Sequence, residues 1–177
     1  SKSSSVTRAG EAEIHGVENA RDILGASQRP LLIAGSGVFY ADGGDELATL
    51  AATLKAPVMV PIWDRGAIDD AIPEYCGVIG AASGEPDILS RADCILLIGA
   101  EVDYRIGYLE SPAISQNAKL VRIDAESASL YAGAYPDCAL AGDPKRVMKQ
   151  LIGGCFDSSE RAADWLTSAQ SLRDGFY

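Results

Sequence analysis

The sequence predicts an α/β fold built on an open parallel sheet, and three observations predict it. Short apolar runs recur along the chain without polar alternation, the pattern of strands covered on both faces. Most of them stop at a glycine or an aspartate. Between several of them lie segments whose apolar residues repeat at helical spacing, and strand alternating with helix is the pattern of a parallel sheet with crossover helices.

Taken in order, a polar leader gives way to a short helix. Val17, Ala20, Ile23 and Leu24 share one of its faces, and it ends near Gly25. Pro30 to Gly37 (PLLIAGSG) reads as a buried strand ending in a glycine turn. Asp42, beside Gly43 and Gly44, is placed to open a helix carrying Leu47, Leu50, Ala51 and Leu54, since aspartate is a favoured N-cap. Pro57 to Ile62 (PVMVPI) is a second strand and Tyr75 to Gly80 (YCGVIG) a third, after which Pro86 suits the first turn of a helix reaching about Arg91. Ala92 to Gly99 (ADCILLIG) is the longest strand, Lys119 to Ile123 (KLVRI) the fifth and Asp137 to Leu140 (DCAL) a weaker sixth. Asp143 followed by Pro144 is an N-cap and N1 pair for a helix bearing Val147, Met148 and Leu151. Gly153 and Gly154 break the chain, Asp157 and Glu160 resemble a capping box, and Ala162, Trp165, Leu166, Ala169 and Leu172 stripe a last helix expected to leave the sheet. The sum is a Rossmann-like open sheet of about six parallel strands with helices on both faces. The expected organisation is a leader or linker over residues 1–15, one α/β domain over 16–154, and a helix over 155–177 leading to a further domain. The polar start and abrupt end suggest a piece of a longer chain.

Composition narrows the function. The chain has 177 residues, enough for one sizeable core. Fifteen basic against 25 acidic residues give a formal charge of -10, which repels nucleic-acid backbones and anionic lipid. No apolar run approaches the ~20 residues that span a bilayer, and SKSSSVTR is not followed by the apolar stretch of a signal peptide. Neither nucleic acid nor membrane is an expected partner. Cys76, Cys94, Cys138 and Cys155 form no CxxC pair and read as small buried side chains in a reducing cytoplasm.

An open α/β sheet binds ligands beyond the carboxyl ends of its strands. Here those ends are Gly35-Ser36-Gly37, the loop Trp63-Asp64-Arg65-Gly66, the loop from Gly99 to Gly107, and Asp124. The dinucleotide fingerprint GxGxxG is incomplete, since Gly35 and Gly37 are followed by Tyr40. Asp42, Asp45 and Glu46 crowd the next helical turn, where they would repel a phosphate. The sole histidine, His15, lies in the leader, away from any nucleophile inside the sheet. Asp69 and Asp70 read as a cap or solvated turn, Asp103 and Arg105 as an ion pair or a ligand contact, and Trp63 and Tyr104 as cover for an interdomain surface or a stacking platform. The residues alone give a fold and no reaction.

The order of the pieces resembles the central domain of thiamine-diphosphate-dependent enzymes of the acetolactate synthase type. ARDILGASQRPLLIAGSG is similar to that family's helix, strand and glycine turn. ELATLAATLKAPVMV and WDRGAIDDAIPEYCGVIG are similar to the helix and loop that follow. ILSRADCILLIGAEVDYR matches a stretch where an aspartate precedes a glycine-ended strand, KLVRIDAES its fifth strand, GDPKRVMKQL its closing Gly-Asp and helix, and ERAADWLTSAQSLR its tryptophan-bearing helix. The resemblance covers about residues 16–173.

The resemblance implies a parent chain of three α/β domains, holding thiamine diphosphate and Mg²⁺, acting on 2-keto acids or acyl carbons, and assembling as a homo-oligomer. Its N-terminal domain supplies the glutamate that activates the thiazolium, and its C-terminal domain the Gly-Asp-Gly…Asn segment that holds the metal. Those two domains would be the partners of this one, which would be inactive alone. Gly142-Asp143 is followed by Pro144 and is not that segment. In several members the central domain carries FAD or ADP structurally, which implies Gly35, Ser36, Gly37, Gly99, Arg105 and Asp124 as nucleotide-contacting positions. The chain departs from flavin-binding members in having Glu101 where arginine is common, and Ala81, Ala82 and Ser83 where a histidine and glycine follow the third strand. The alternative function is a free-standing adenine-nucleotide (FAD, ADP or NAD) binding module. An NAD-dependent deacylase, which shares the topology, is excluded by the loop GSGVFYADGGDE and by the lack of an internal histidine.

Overall fold

The computed structural model describes residues 10–64, 66, 68, 71–80, 86–154, 156 and 162–176. Six strands, β1 (Pro30–Ala34), β2 (Val58–Pro61), β3 (Tyr75–Ile79), β4 (Cys94–Ile98), β5 (Lys119–Asp124) and β6 (Cys138–Ala141), form one sheet in the order β3-β2-β1-β4-β5-β6. Every pairing is parallel. This is the Rossmann strand order, with its reversal between β1 and β4.

The central strands are apolar throughout because both faces are covered. Leu32, Ala34, Leu96 and Ile98 face one core; Leu31, Ile33, Ile95 and Leu97 face the other. On the first side lie α1 (Ile14–Ala26), α3 (Gly44–Leu54) and α4 (Pro144–Ile152), which bury Val17, Ala20 and Leu24, then Leu47, Leu50 and Leu54, then Val147, Met148 and Leu151. On the second side lie α5 (Ala162–Phe176) and loop residues Ile88, Leu89, Ile106 and Leu109.

Local chemistry sets several boundaries as expected. Asp143 accepts from the Arg146 amide and Pro144 opens α4. The carboxylate of Asp93, just before β4, takes the hydroxyl of Ser27 and the amides of Gln28 and Arg29, the last two at 2.8 Å. Burial alone would raise the Asp93 pKa; the Ser27 and amide hydrogen bonds outweigh it and hold the acid below its ordinary range. That carboxylate fastens the turn between α1 and β1 onto the base of β4.

The structure differs from expectation in four places. First, α5 does not leave the sheet. Trp165 and Ala169 are buried against the second core, Trp165 Nε1 donates to the Pro30 carbonyl at 2.8 Å, and Arg173 donates to the carbonyl of Tyr75 at 2.9 Å. The apolar stripe of the helix expected to leave the sheet is a core face. Second, Asp42 does not cap α3. It sits in the left-handed region at φ 55° and Gly43 occupies the cap, because the chain first turns through an extra short helix, α2 (Ser36–Tyr40). Third, of the helix expected from Pro86 only a single 3₁₀ turn, Leu89–Arg91, forms. Fourth, part of the expected leader is tied down: Gln150 exchanges two hydrogen bonds with the backbone of Ala12, and Glu13 caps α1. The expected Asp157–Glu160 capping box, Asp69, Asp70, Ala81, Ala82, Ser83, Arg65 and Cys155 lie outside the described residues. Among the described residues no helix is long and apolar enough to cross a membrane.

Candidate functional site: the carboxyl-end cleft

The reversal of strand order opens a cleft of about 700 Å³ beyond the carboxyl ends of β1, β4 and β5. Ser36, Gly37, Gly99, Arg105 and Asp124 line it, and Gly35 stands behind them at the end of β1. The six positions implied by the family resemblance therefore meet at one place in the fold.

The glycines there serve a backbone contact. Gly37 N–H donates to the Gly99 carbonyl at 3.0 Å, and Gly99 has φ +57°. A Cβ added to Gly37 would stand 2.7 Å from Gly99 Cα, and one added to Gly35 would stand 2.5 Å from the Gly99 oxygen. Two turns touch main chain to main chain, so side chains are excluded from both.

The neighbouring amide is also in use. Ser36 N–H donates at 3.0 Å to Asp64, which reaches over from the end of β2. The other oxygen of Asp64 pairs with Arg105. Arg105 also donates to the Ile62 carbonyl at 2.7 Å and pairs with Asp103 at 2.9 Å. The side chains of Arg105 and Asp64 are only 11% and 12% exposed, so this is a partly desolvated Asp–Arg–Asp cluster. Its hydrogen bond from Arg105 holds the Asp103 carboxyl below the usual range, and the bond to Asp103, with help from Asp64, raises Arg105.

The charge of the cleft follows. Asp64, Glu101, Asp124, Glu126 and Asp143 all line it, while Arg105 is its sole lining cation among the described residues and already serves two carboxylates. Asp124 accepts from the Glu126 amide at 2.9 Å, and Asp143 caps α4. A diphosphate requires free amides and unshared cations. Here the turn amides are spent on Asp64 and Gly99, and the walls repel anions. The residues do not fit the pyrophosphate of FAD or ADP.

Other candidates are placed elsewhere. His15 is on the exposed side of α1, 3.6 Å from Glu18. Trp63 and Tyr104 are 83% and 67% exposed at the carboxyl edge. Cys76, Cys94 and Cys138 are buried thiols, and burial pushes Cys76 up to about 11. Among the described residues no three His, Cys, Asp or Glu side chains converge to hold a metal. Sequence reasoning placed Asp64 in a strand-end loop without assigning it a role in the site. Its signal was an acid immediately beyond the second apolar run, at the level where the first run's glycine turn begins.

Residues 17–151, well over half of the chain, match the family model described as "Thiamine pyrophosphate enzyme, central domain". A "Probable acetolactate synthase large subunit" of Methanococcus aeolicus is 29% identical over 170 residues, covering 89% of this chain and 28% of the relative. A "2-hydroxyacyl-CoA lyase 1" of Homo sapiens is 29% identical over 141 residues, covering 80% of this chain and 24% of the relative. The crystal structure of benzoylformate decarboxylase from Polynucleobacter necessarius superposes with a TM-score of 0.71 at 20% identity, over 88% of this chain and 30% of that one, a likeness of fold. The chain thus spans under a third of the length of each of these proteins. With its six-stranded parallel sheet and its match across the whole strand array, it belongs to the central-domain family of thiamine pyrophosphate enzymes.

Proposed function

We propose that the chain is the non-catalytic central domain of a cytoplasmic, oligomeric thiamine-diphosphate- and Mg²⁺-dependent enzyme of the acetolactate synthase type, acting on 2-keto acids or acyl carbons. It braces the N- and C-terminal domains that hold the cofactor. The observation that carries this reading is the family match over residues 17–151 in a chain that spans 28% of an acetolactate synthase-like relative.

Two features of the cleft support the division of labour. Thiamine diphosphate supplies a carbanion that the rest of the site need only position, and its Mg²⁺ needs an open set of oxygen ligands. Asp143 is committed to the α4 amide, so the Gly142-Asp143 pair does not fit that metal. Nor does the cleft set a free base against a nucleophile, its most buried acid being locked to Arg105. The adenine-nucleotide module loses support on the same grounds, since the amides it would use are taken.

The test is turnover with and without the neighbouring domains. The purified 177 residues, given pyruvate, thiamine diphosphate and Mg²⁺, should form neither acetolactate nor acetaldehyde, while the full-length protein should convert a 2-keto acid or acyl substrate. Product from the 177 residues would overturn the reading. Calorimetric titration with ADP, FAD and NAD should give no heat of binding; a micromolar site for any of them would restore the nucleotide module.

A further inference from the structure

Among the described residues Arg122 is the only charged side chain buried outright, at 2% exposed. It stands on β5, on the face of the second core, between Leu97 of β4 and Ala139 of β6. A cation so placed is normally matched by a carboxylate. Among the described residues none pairs with it: both of its hydrogen bonds run from Nη1 to main chain, to the Ala132 carbonyl at 2.7 Å and the Ala134 carbonyl at 3.0 Å. Burial draws its pKa down, and Asp124, two residues further along β5, offsets this only through its field.

Both acceptors belong to the crossover from β5 to β6. Parallel neighbours need such a connection and usually make it with an α-helix, whose carbonyls are bonded internally. Between Ala125 and Asp137 the chain forms only a 3₁₀ turn, Ser127–Tyr131, which lies against β5 and β6. Leu130 and Pro136 are the only buried residues of the stretch. Its two ends are fixed by acids. Asp124 accepts from the Glu126 amide at 2.9 Å, and Asp137 exchanges a backbone and a side-chain bond with Leu120, each at 2.8 Å. Between those ends the hold on the sheet is Leu130, Ala134 and Arg122. Few buried apolar contacts and exposed turn bonds mark a segment that opens well below global unfolding.

Hydration decides the sign of Arg122's effect. Burying a cation is costly, but a guanidinium is more weakly hydrated than an ammonium, and a hydrogen bond to a charged group stays net favourable after desolvation. The two carbonyl bonds therefore hold the segment closed. Two cavities border it. Ala125, Glu126 and Ser129 wall the carboxyl-end cleft, while Gly133, Ala134, Tyr135 and Asp137 wall a separate groove of about 470 Å³ beside Ala118 and Leu120.

We propose that residues 125–137 are a strap that opens and closes as a unit over the second face of β5 and β6, that Arg122 is its latch, and that cleft and groove share it as a moving wall. A ligand that needs either wall in place then selects the latched form. The strap goes beyond the assigned reaction and does not rest on it.

The test is hydrogen exchange of the full-length protein in low urea, read by mass spectrometry. In the unaltered protein the Ser129 and Ala132 amides, bonded within the strap, should be protected at least about tenfold less than the β4–β5 ladder, with little dependence on urea because opening exposes little surface. Arg122→Leu keeps an apolar stem and loses the donors. It should speed strap exchange by a further factor of about ten or more, as the loss of one hydrogen bond from a charged donor would, and leave peptides of β1 and β2 as in the parent. Arg122→Lys should also speed the strap, because an ammonium costs more to bury. Strap amides of the unaltered protein that exchange with the protection and urea dependence of β4 would overturn the proposal whatever the variants do. So would parental strap exchange in either variant, or a variant that loses protection equally from the strap and from β1.

Discussion

Replacing Trp165 by alanine should destabilise the domain far more than a linker residue could. The ring is 6% exposed and lies in the cluster of Leu31, Ile33, Met59 and Ile95, with its N–H on the Pro30 carbonyl at 2.8 Å. Truncating a buried tryptophan costs about 3–5 kcal/mol through lost transfer energy and the cavity left behind. Against a total stability of roughly 5–15 kcal/mol, that is a large share. With a urea slope near 2 kcal/mol/M, the midpoint should fall by about 1.5–2.5 M. Trp165→Phe keeps most of the packing and loses the hydrogen bond, so about 0.5–1.5 kcal/mol should go from that bond. Ser168→Ala, on the exposed side of the same helix, should stay within about 0.5 kcal/mol of the parent. Unfolding is followed by far-UV circular dichroism, because the substitution removes a fluorophore. If Trp165→Ala unfolds within about 0.5 kcal/mol of the unaltered chain, the tail is a detachable linker and the core drawn here is wrong.

Three further outcomes follow from the cleft and the core. Arg105→Ala strands Asp64 and Asp103 in a partly buried place, and should cost roughly 3 kcal/mol at neutral pH by urea unfolding. Because the Asp103 pKa is depressed by Arg105, that pair's contribution is fully present above the ordinary carboxylate pKa of about 3.9 and is lost as pH falls further, so the gap between variant and parent should close towards pH 3. Gly37→Ala drives a methyl group to 2.7 Å from Gly99 Cα and should cost about 1–3 kcal/mol in the same assay. Finally, with the Cys76 thiol at about 11, its alkylation at pH 8 should run on the order of 10²-fold slower than in the urea-unfolded chain, as read by mass spectrometry; equal rates would mean that β3 opens freely.

The strands were legible because a parallel strand buried on both faces writes its whole length in apolar residues. Leu31 to Ala34 and Cys94 to Ile98 have no other reading. Asp143-Pro144 was legible for an equally local reason, a cap and its helix start lying side by side in sequence. What failed was non-local. The stripe of Trp165, Ala169 and Leu172 specifies an apolar partner without saying which, and only the position of the Pro30 carbonyl settles it. Asp42 carries an excellent capping side chain, yet Val38 is drawn into the core first, so the chain spends residues 36–40 on a helical turn and reaches Asp42 in the wrong conformation. The site was half legible. Its six positions could be aligned by motif order, whereas the link from Asp64 to Ser36 spans 28 residues and no spacing rule announces it.

Asp64 also explains how one fold can keep the glycines of a nucleotide-binding turn without offering a nucleotide site. Gly35, Gly37 and Gly99 are required by the approach of two main chains, whatever lies beyond them. Once that approach is made, the Ser36 amide at the head of α2 needs an acceptor, since a buried donor left unpaired costs about 1–3 kcal/mol. A bound phosphate is one acceptor; a carboxylate from the next strand end is another, and it is always present. Arg105 then compensates the carboxylate where it would otherwise have compensated a phosphate. The glycine turn is therefore evidence of sheet geometry, and the ligand must be read from which charges remain unspent around it. Here those are Glu101 and Glu126, both exposed, and they repel an anion.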